Sequence, residues 1–127
     1  MFSYISCRKK NQYYIDIVSA RLGKDYASND VLIIRYKFMH TYSDPRTFGY
    51  VLNDQIYQNG VECQHTYWKS EGVTEDYEFS DIQPNTEVEL EVTYGLNDLT
   101  TPVKVEIRPM FSNKILFEQT IDIQSLQ

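Results

Sequence analysis

The clearest strand signal in this 127-residue chain is the stretch Thr86-Glu87-Val88-Glu89-Leu90-Glu91-Val92-Thr93-Tyr94, in which apolar and polar side chains alternate. Successive side chains of a β-strand point to opposite faces, so the apolar set faces a core and the glutamates face water. The stretch therefore predicts a strand that is buried on one face only.

The same period of two recurs along the chain. Residues 31–39 alternate in the same way, and Asn59-Gly60 between 50–58 and 61–67 is the strongest hairpin signal, because both turn residues must accept positive φ. Gln83-Pro84-Asn85 predicts a tight turn before the strand quoted above. Further strands are predicted within 2–7, 12–22, 77–79, 103–108 and 115–123.

About seven to nine short strands without a convincing helix predict an all-β protein, an immunoglobulin-like two-sheet antiparallel β-sandwich. Eleven Tyr and six Phe agree with this, because aromatic residues favour strands. We predict one domain over residues 1–127, since a chain of this length can bury one real core. A small closed barrel is the alternative architecture.

The charge balance narrows the possible partners. Eighteen Asp and Glu against twelve Lys and Arg give a net charge of −6, which repels nucleic acid, so we expect a protein partner and no direct nucleic-acid binding. No stretch approaches the ~20 apolar residues of a membrane span. A signal peptide needs an apolar segment before its cleavage site, and only six residues precede Cys7. A native start at Met1 therefore predicts a cytoplasmic protein.

Residues able to carry catalysis are few. Cys7 and Cys63 have no metal-binding spacing, and whether they pair is left open. Neither His40 nor His65 lies in a catalytic motif, and His40 is expected to be a solvent-facing loop residue. His65 would share a strand face with Cys63, although a packed cysteine beside a half-exposed histidine is the simpler expectation. We predict no enzymatic activity and no cofactor.

A metal site is also not expected. Asp25, Asn29 and Asp30 offer oxygen ligands in one turn-rich connection, but their spacing lacks the order of an EF-hand loop. The five glycines are scattered singly, so there is no phosphate-binding glycine loop either.

Binding surfaces are the more promising feature, and two sets of residues are candidates. Alternate glutamates on one strand face lie about 7 Å apart, a solvated acidic row that could meet a basic partner. Exposed tyrosine and tryptophan are favoured at protein interfaces, and several lie in loop-like sequence in the middle of the chain. The candidate binding residues are Glu87, Glu89 and Glu91 on the strand, and Tyr67, Trp68 and Tyr77 in the middle segment.

Four segments of the sequence, 30–38, 57–62, 82–85 and 92–96, belong together. In their order and spacing they resemble the immunoglobulin-like lipoprotein domain of Gram-positive bacteria, a family of unknown function. The resemblance spans about residues 14–123 and implies a sandwich displayed outside the cell membrane, with no catalytic residues to carry over. The sequence departs from the family in lacking a lipidated leader and in having Pro84-Asn85 where the family has Pro-Gly.

Two functions therefore remain open. One is a protein- or ligand-binding module of the surface-lipoprotein type. The other is an intracellular acidic inhibitor or adaptor, encoded by a phage or mobile element, that blocks a protein partner through its acidic and aromatic surface. The missing leader and the charge of −6 favour the second, and the resemblance favours the first.

Overall fold

The computed structural model describes residues 11–64 and 78–127, and strands make up most of the regular structure within them. These residues form nine strands, one short α-helix and one 3-10 helix. The strands are β1 (Tyr13–Lys24), β2 (Asp30–His40), β3 (Arg46–Thr47), β4 (Leu52–Gln58), β5 (Val61–Cys63), β6 (Asp81–Ile82), β7 (Val88–Gly95), β8 (Val103–Pro109) and β9 (Phe117–Ile121). The helices are α1 (Phe48–Val51) and the 3-10 turn (Ile123–Leu126).

One sheet has the strand order β1-β2-β7, with both pairs antiparallel. The alternation predicted for β2 is confirmed in its second half: its core-facing residues are fully buried and Lys37 is exposed, whereas Val31 and Ile33 on the opposite face are also buried. β7 pairs with β2 along its length, with Leu90 opposite Tyr36. The four core-facing residues are Leu32, Ile34, Tyr36 and Phe38.

A β-bulge in β1 was not predicted. Ile17 pairs with Tyr36 and Ser19 with Arg35, so Val18 is an extra residue between them. An extra residue reverses the alternation, which turns Ala20 rather than an odd-numbered residue toward the core.

The second sheet has the order β5-β4-β8-β9 and is also antiparallel. The predicted hairpin at Asn59-Gly60 is confirmed: both residues have positive φ, 51° and 78°, and Gln58 pairs with Val61 across the turn. Asn85 also has a positive φ of 59°, as its predicted turn requires.

The two sheets enclose one hydrophobic cluster, which both contribute to. If β1, β2 and β7 are taken as strands A, B and E, and β4, β8 and β9 as C, F and G, the order within each sheet is that of an immunoglobulin sandwich. The predicted sandwich is confirmed, and among the described residues the strands form separate sheets rather than one closed sheet. The remaining two strands, β3 and β6, pair only with each other.

Three segments differ from the strand prediction. In the strand predicted at 77–79, residues 78–79 form a turn, and β6 begins only at Asp81. Tyr50 and Val51 belong to the one-turn helix α1, so β4 begins only at Leu52. Ile115 precedes β9 and is exposed, whereas Ile123 follows it in the 3-10 turn and is fully buried. The part of the chain that the structure describes contains no helix long and apolar enough to cross a bilayer.

Candidate functional site

The connection between β8 and β9, residues 110–116, is the most apolar exposed segment among the described residues, and we call it the tip loop. Phe111 is fully exposed, and Met110, Ile115 and Leu116 expose 37–42% of their surface. Hydrophobic residues scattered singly over a surface are ordinary, but four within seven residues form a patch of the kind that marks interaction sites.

The backbone of the tip loop is held by internal hydrogen bonds. The Ser112 amide donates to the Pro109 carbonyl (3.1 Å), and the Leu116 amide donates to the Ile107 carbonyl (2.8 Å). The Lys114 amide donates to the Ser112 hydroxyl (3.1 Å). The loop is therefore an ordered turn that presents its apolar side chains outward.

Phe111 has a φ of 63°, in the left-handed region. For a bulky side chain this conformation costs about 1–2 kcal/mol, and such outliers gather at functional sites. No burial of the ring compensates for the cost, because the side chain is fully exposed. A strained and exposed phenylalanine is the observation that the fold itself does not explain.

A second exposed group lies beside α1. The rings of Tyr50 and Phe79 are 5.9 Å apart, and both are more than half exposed. A Cβ on Gly49 would lie 2.5 Å from the Phe79 ring, so only glycine lets this ring approach the helix. The Gly49 amide also donates to the Glu78 carbonyl (2.7 Å), which fixes the two segments together.

This aromatic pair and the tip loop are at the same end of the four-stranded sheet. The Met110 amide donates to the carbonyl of Val51 (2.8 Å), the residue after Tyr50, and Leu52 pairs with Pro109. We call the two groups together the tip surface, defined by Tyr50, Phe79, Met110, Phe111, Ile115 and Leu116.

The predicted acidic row lies on the outer face of the three-stranded sheet, but most of it is ion-paired. The Arg21 guanidinium donates two hydrogen bonds to the Glu91 carboxylate, at 2.5 and 3.3 Å, and Arg35 lies 3.7 Å from the same group. The Glu91 side chain is only 7% exposed. The hydrogen bonds from Arg21 hold the pKa of Glu91 below its ordinary value.

Glu89 is engaged as well, since Arg35 Nε donates to its carboxylate at 2.5 Å. Glu87 is exposed, and the described residues give it no ion pair. The three glutamates thus share a face as predicted, but two of them have cationic partners within the sheet. This arrangement stabilises the sheet and leaves one open carboxylate rather than three.

The other predicted binding residues, Tyr67, Trp68 and Tyr77, lie outside the described residues, as do Cys7 and His65. Of the remaining aromatics in the middle third, Phe48 is fully buried, Tyr42 and Tyr57 are partly buried and Tyr50 is exposed. Sequence reasoning missed the tip loop entirely, because 115–123 was predicted as a single strand. The signal available was the run Met110-Phe111 after Pro109, where apolar residues follow a strand-ending proline.

The prediction for His40 is wrong. This residue ends β2 and is fully buried, with Nε2 2.7 Å from the Ile82 carbonyl, and its Nδ1 accepts from the Tyr42 amide (3.2 Å). The acceptor role of Nδ1 makes Nε2 the protonated nitrogen, which donates to Ile82. His40 ties the end of β2 to β6 and to the following loop.

The prediction for Cys63 as a packed small residue agrees with its surroundings. The thiol is free and buried, it donates to Gln58 Oε1 at 3.5 Å, and burial raises its pKa. A raised thiol pKa disfavours the reactive thiolate. Asp25 also has a structural role, since its carboxylate accepts from the Ala27 and Asn29 amides, and the described residues contain no cluster of three metal-binding groups.

One of the segments that carry the family resemblance, 57–62, contains a residue with a structural role in the core. Gln58 is buried, its Nε2 donates to the carbonyls of Asp98 (3.0 Å) and Thr101 (2.9 Å), and its Oε1 accepts from the Asn97 amide (2.7 Å). It therefore fixes the connection between β7 and β8.

Two buried tyrosines form a polar chain between the sheets. Tyr94 donates to the Asp54 carboxylate at 2.5 Å, and the Tyr36 and Tyr94 hydroxyls are 2.7 Å apart. Burial raises the pKa of both tyrosines well above the ordinary value, so they remain neutral donors.

Comparisons with known proteins agree with this fold. A family model described as "Domain of unknown function (DUF5067)" matches residues 8–109. A solved structure described as a "putative lipoprotein" from Staphylococcus aureus superposes with a TM-score of 0.69, covering 91% of this chain and 86% of that one at 9% sequence identity. No curated protein matches the sequence. At that identity the solved structure shows the fold alone, which is the β-sandwich described above.

Proposed function

The chain belongs to the DUF5067 family, and we propose that it is a non-enzymatic binding module that docks on a partner through the tip surface. The observation that carries this proposal is Phe111, fully exposed at a φ of 63° on a loop with three other exposed apolar residues. A large aromatic anchor surrounded by aliphatic side chains is the composition of an interface hot spot.

The position of the tip loop supports a binding role. It joins β8 to β9, the strands equivalent to F and G, and the loops at the ends of such sandwiches are where variable domains bind antigen. Because a rigid sheet holds the exposed loop in place, the loop loses little conformational entropy when it binds. The internal hydrogen bonds of the tip loop add to this preorganisation.

The described residues also support a role without catalysis. Their carboxylates with lowered pKa values, such as Glu91 and Glu106, are held by neighbouring cations, and Asp98 is held by backbone amides. The thiol of Cys63 has a raised pKa and the bonding of a core residue. These are the shifts of structural ion pairs and of burial rather than of a paired acid and base.

The likeness to a putative lipoprotein supports an accessory role at a cell surface. The alternative, an acidic intracellular inhibitor, draws less support, because Arg21 and Arg35 already neutralise Glu91 and Glu89. An acidic inhibitor needs carboxylates that are open to a basic partner.

The proposal is tested by photo-crosslinking from two positions. A benzophenone-bearing phenylalanine analogue is placed at 111 in one protein and at 87 in a control, because both positions are exposed and they lie on different faces. Each is irradiated with envelope and cytosolic extracts of the source cells, with an excess of unlabelled wild type or of the Phe111→Ser variant as competitor.

We expect one species captured from position 111 that is competed by wild type but not by Phe111→Ser. A different result would refute the proposal: a species is captured from position 87, the wild-type competitor prevents that capture, and nothing is captured from position 111. The binding role would then belong to the acidic face. Capture from 111 that neither protein competes is non-specific labelling and also counts against it.

A further inference from the structure

The tip loop differs from the rest of the molecule in charge as well as in polarity. Residues 107–117 contain no Asp or Glu, and Arg108 and Lys114 are their charged residues. This segment carries a formal charge of +2, but Arg108 lies in β8 and donates to the Glu106 carboxylate (2.8 Å), so Lys114 is the one charged residue of the tip loop itself. Every carboxylate of the sequence lies outside it, with Glu106 and Glu118 at its borders.

Phe111 projects outward rather than lining a groove, whereas Met110, Ile115 and Leu116 expose only 37–42% of their surface. Phe111 is fully exposed at a turn in which the Ser112 amide bonds back to Pro109, so neighbouring side chains do not cover it. A protein partner must offer a hollow that fits such a protrusion. Lipid tails adapt to any shape, and an aromatic ring sits favourably at the boundary between tails and headgroups.

Four of the seven backbone amides of the loop are hydrogen-bonded within the protein. The amides of Met110, Ser112, Lys114 and Leu116 each have an acceptor within the protein. An amide without an acceptor is expensive to remove from water, so these bonds lower the cost of insertion.

From these three observations we infer that the tip loop inserts into the headgroup region of an anionic phospholipid bilayer, with Phe111 as the wedge and Lys114 contacting acidic headgroups. This inference rests on the proposed function and names its partner. Side chains such as Phe111, Met110 and Ile115 contribute apolar burial, and basic residues near an anionic leaflet add electrostatic attraction. The aromatic pair Tyr50 and Phe79, joined to the loop through Val51 and Met110, supplies further interfacial rings.

The contribution expected from each part is moderate. Full burial of one large apolar side chain is worth at least a tenfold change in partitioning. Replacing a lysine by a glutamate at the surface of an anionic membrane is worth roughly another tenfold at low salt. The binding should be reversible, dependent on anionic lipid, and weakened by high salt because charge interactions are screened.

The test is co-sedimentation of the full chain with vesicles of phosphatidylcholine containing 30% phosphatidylglycerol, and with pure phosphatidylcholine, in about 20 mM and 500 mM salt. The variants are Phe111→Ser, Phe111→Gly and Lys114→Glu. The matched control is Val61→Ser, which removes an exposed apolar side chain from the hairpin at the other end of β4. Phe111→Gly suits the positive φ, so loss of binding there is not a folding defect.

We expect wild type to bind the anionic vesicles at low salt, both Phe111 variants and Lys114→Glu to bind at least tenfold more weakly, and Val61→Ser to bind as wild type does. Absence of vesicle binding would overturn the inference. If position 111 then captures a protein in the crosslinking experiment, the proposed function stands with a protein as partner; if it captures nothing, both fail. Equal binding by wild type and the Phe111 variants also overturns the inference.

Discussion

The acidic row on β7 and the tip loop after β8 differ in whether their side chains have partners within the protein. Glu91 and Glu89 look like an interaction surface in the sequence, yet Arg21 and Arg35 bond them within the sheet. Phe111 belongs to an inconspicuous segment, yet it is fully exposed with a left-handed backbone. Regularity in a sequence therefore indicates structure, and a residue whose conformation the fold does not need is the better indicator of function.

The largest effect on stability should come from Gln58, whose side-chain hydrogen-bonding groups have partners within the protein, as the paired glutamates of the acidic row do. Gln58→Ala leaves the Asn97 amide and the carbonyls of Asp98 and Thr101 without their side-chain partner, so we expect a loss of about 3 kcal/mol in the free energy of unfolding. Denaturant titration measures it. The matched control is Gln55→Ala on the same strand at a partly exposed position, with a change of less than about 1 kcal/mol. Equal losses in both would mean that Gln58 does not hold the β7–β8 connection.

Within the acidic row, the buried member should matter and the exposed one should not. Glu91→Gln removes a charge bonded twice by Arg21, and we expect a loss of about 1–2 kcal/mol in the free energy of unfolding. Glu87→Gln is the control, with a change within about 0.5 kcal/mol. If Glu87→Gln were the more damaging of the two, the ion-pair account of this face would be wrong.

The same glutamate predicts a dependence on pH. Its pKa is lowered in the folded chain from an ordinary value of 4.5, so the stability it contributes is complete above that value and is lost as pH falls through the lowered folded pKa. Unfolding free energies of wild type and Glu91→Gln should therefore differ at pH 7 and converge as the pH falls below the lowered folded pKa of Glu91. A difference that stays constant over this range would show that the effect is not electrostatic.

The smallest effect on the free energy of unfolding should be an increase, from a substitution in the tip loop. Phe111→Gly relieves the left-handed strain of about 1–2 kcal/mol, and glycine loses part of that gain through its greater freedom in the unfolded chain. We expect the variant to be about 0.5–1 kcal/mol more stable than wild type, measured by thermal and denaturant unfolding. Tyr26→Gly is the control, since Tyr26 is an exposed aromatic outside the positive-φ positions. Destabilisation by Phe111→Gly alone would mean that the ring packs on the protein.

Much of the architecture could be predicted from the sequence, because β7 and the second half of β2 alternate regularly and Asn59-Gly60 specifies its turn through backbone conformation alone. The bulge at Val18 could not, because it is set by the twist and packing of β1 against β2. The prediction for His40 is wrong for a similar reason: its burial depends on β6, where the Ile82 carbonyl, 42 residues later in the chain, accepts a hydrogen bond from its Nε2.

The candidate site could be predicted less well. The pairing of Arg21 with Glu91 joins residues 70 positions apart, so no local pattern reveals that the glutamate is neutralised. Exposure of Phe111 depends on where β8 ends and β9 begins, and element boundaries are the least certain part of a prediction from sequence.

The central claim, that the tip loop is exposed in the free chain and buried in the bound state, is tested most directly by the fluorescence of a tryptophan at position 111. The spectrum of Phe111→Trp minus that of wild type isolates the new indole from Trp68, and Glu87→Trp provides the reference on the acidic face. In buffer, the account predicts that the tryptophan at 111 emits at long wavelength and is readily quenched. When anionic vesicles or the partner identified by crosslinking are added, its emission should shift to shorter wavelength and become protected from the quencher. The emission of the tryptophan at 87 should not change. Emission at 111 that is already blue and protected in the free protein, or a shift at 87 alone, would contradict it.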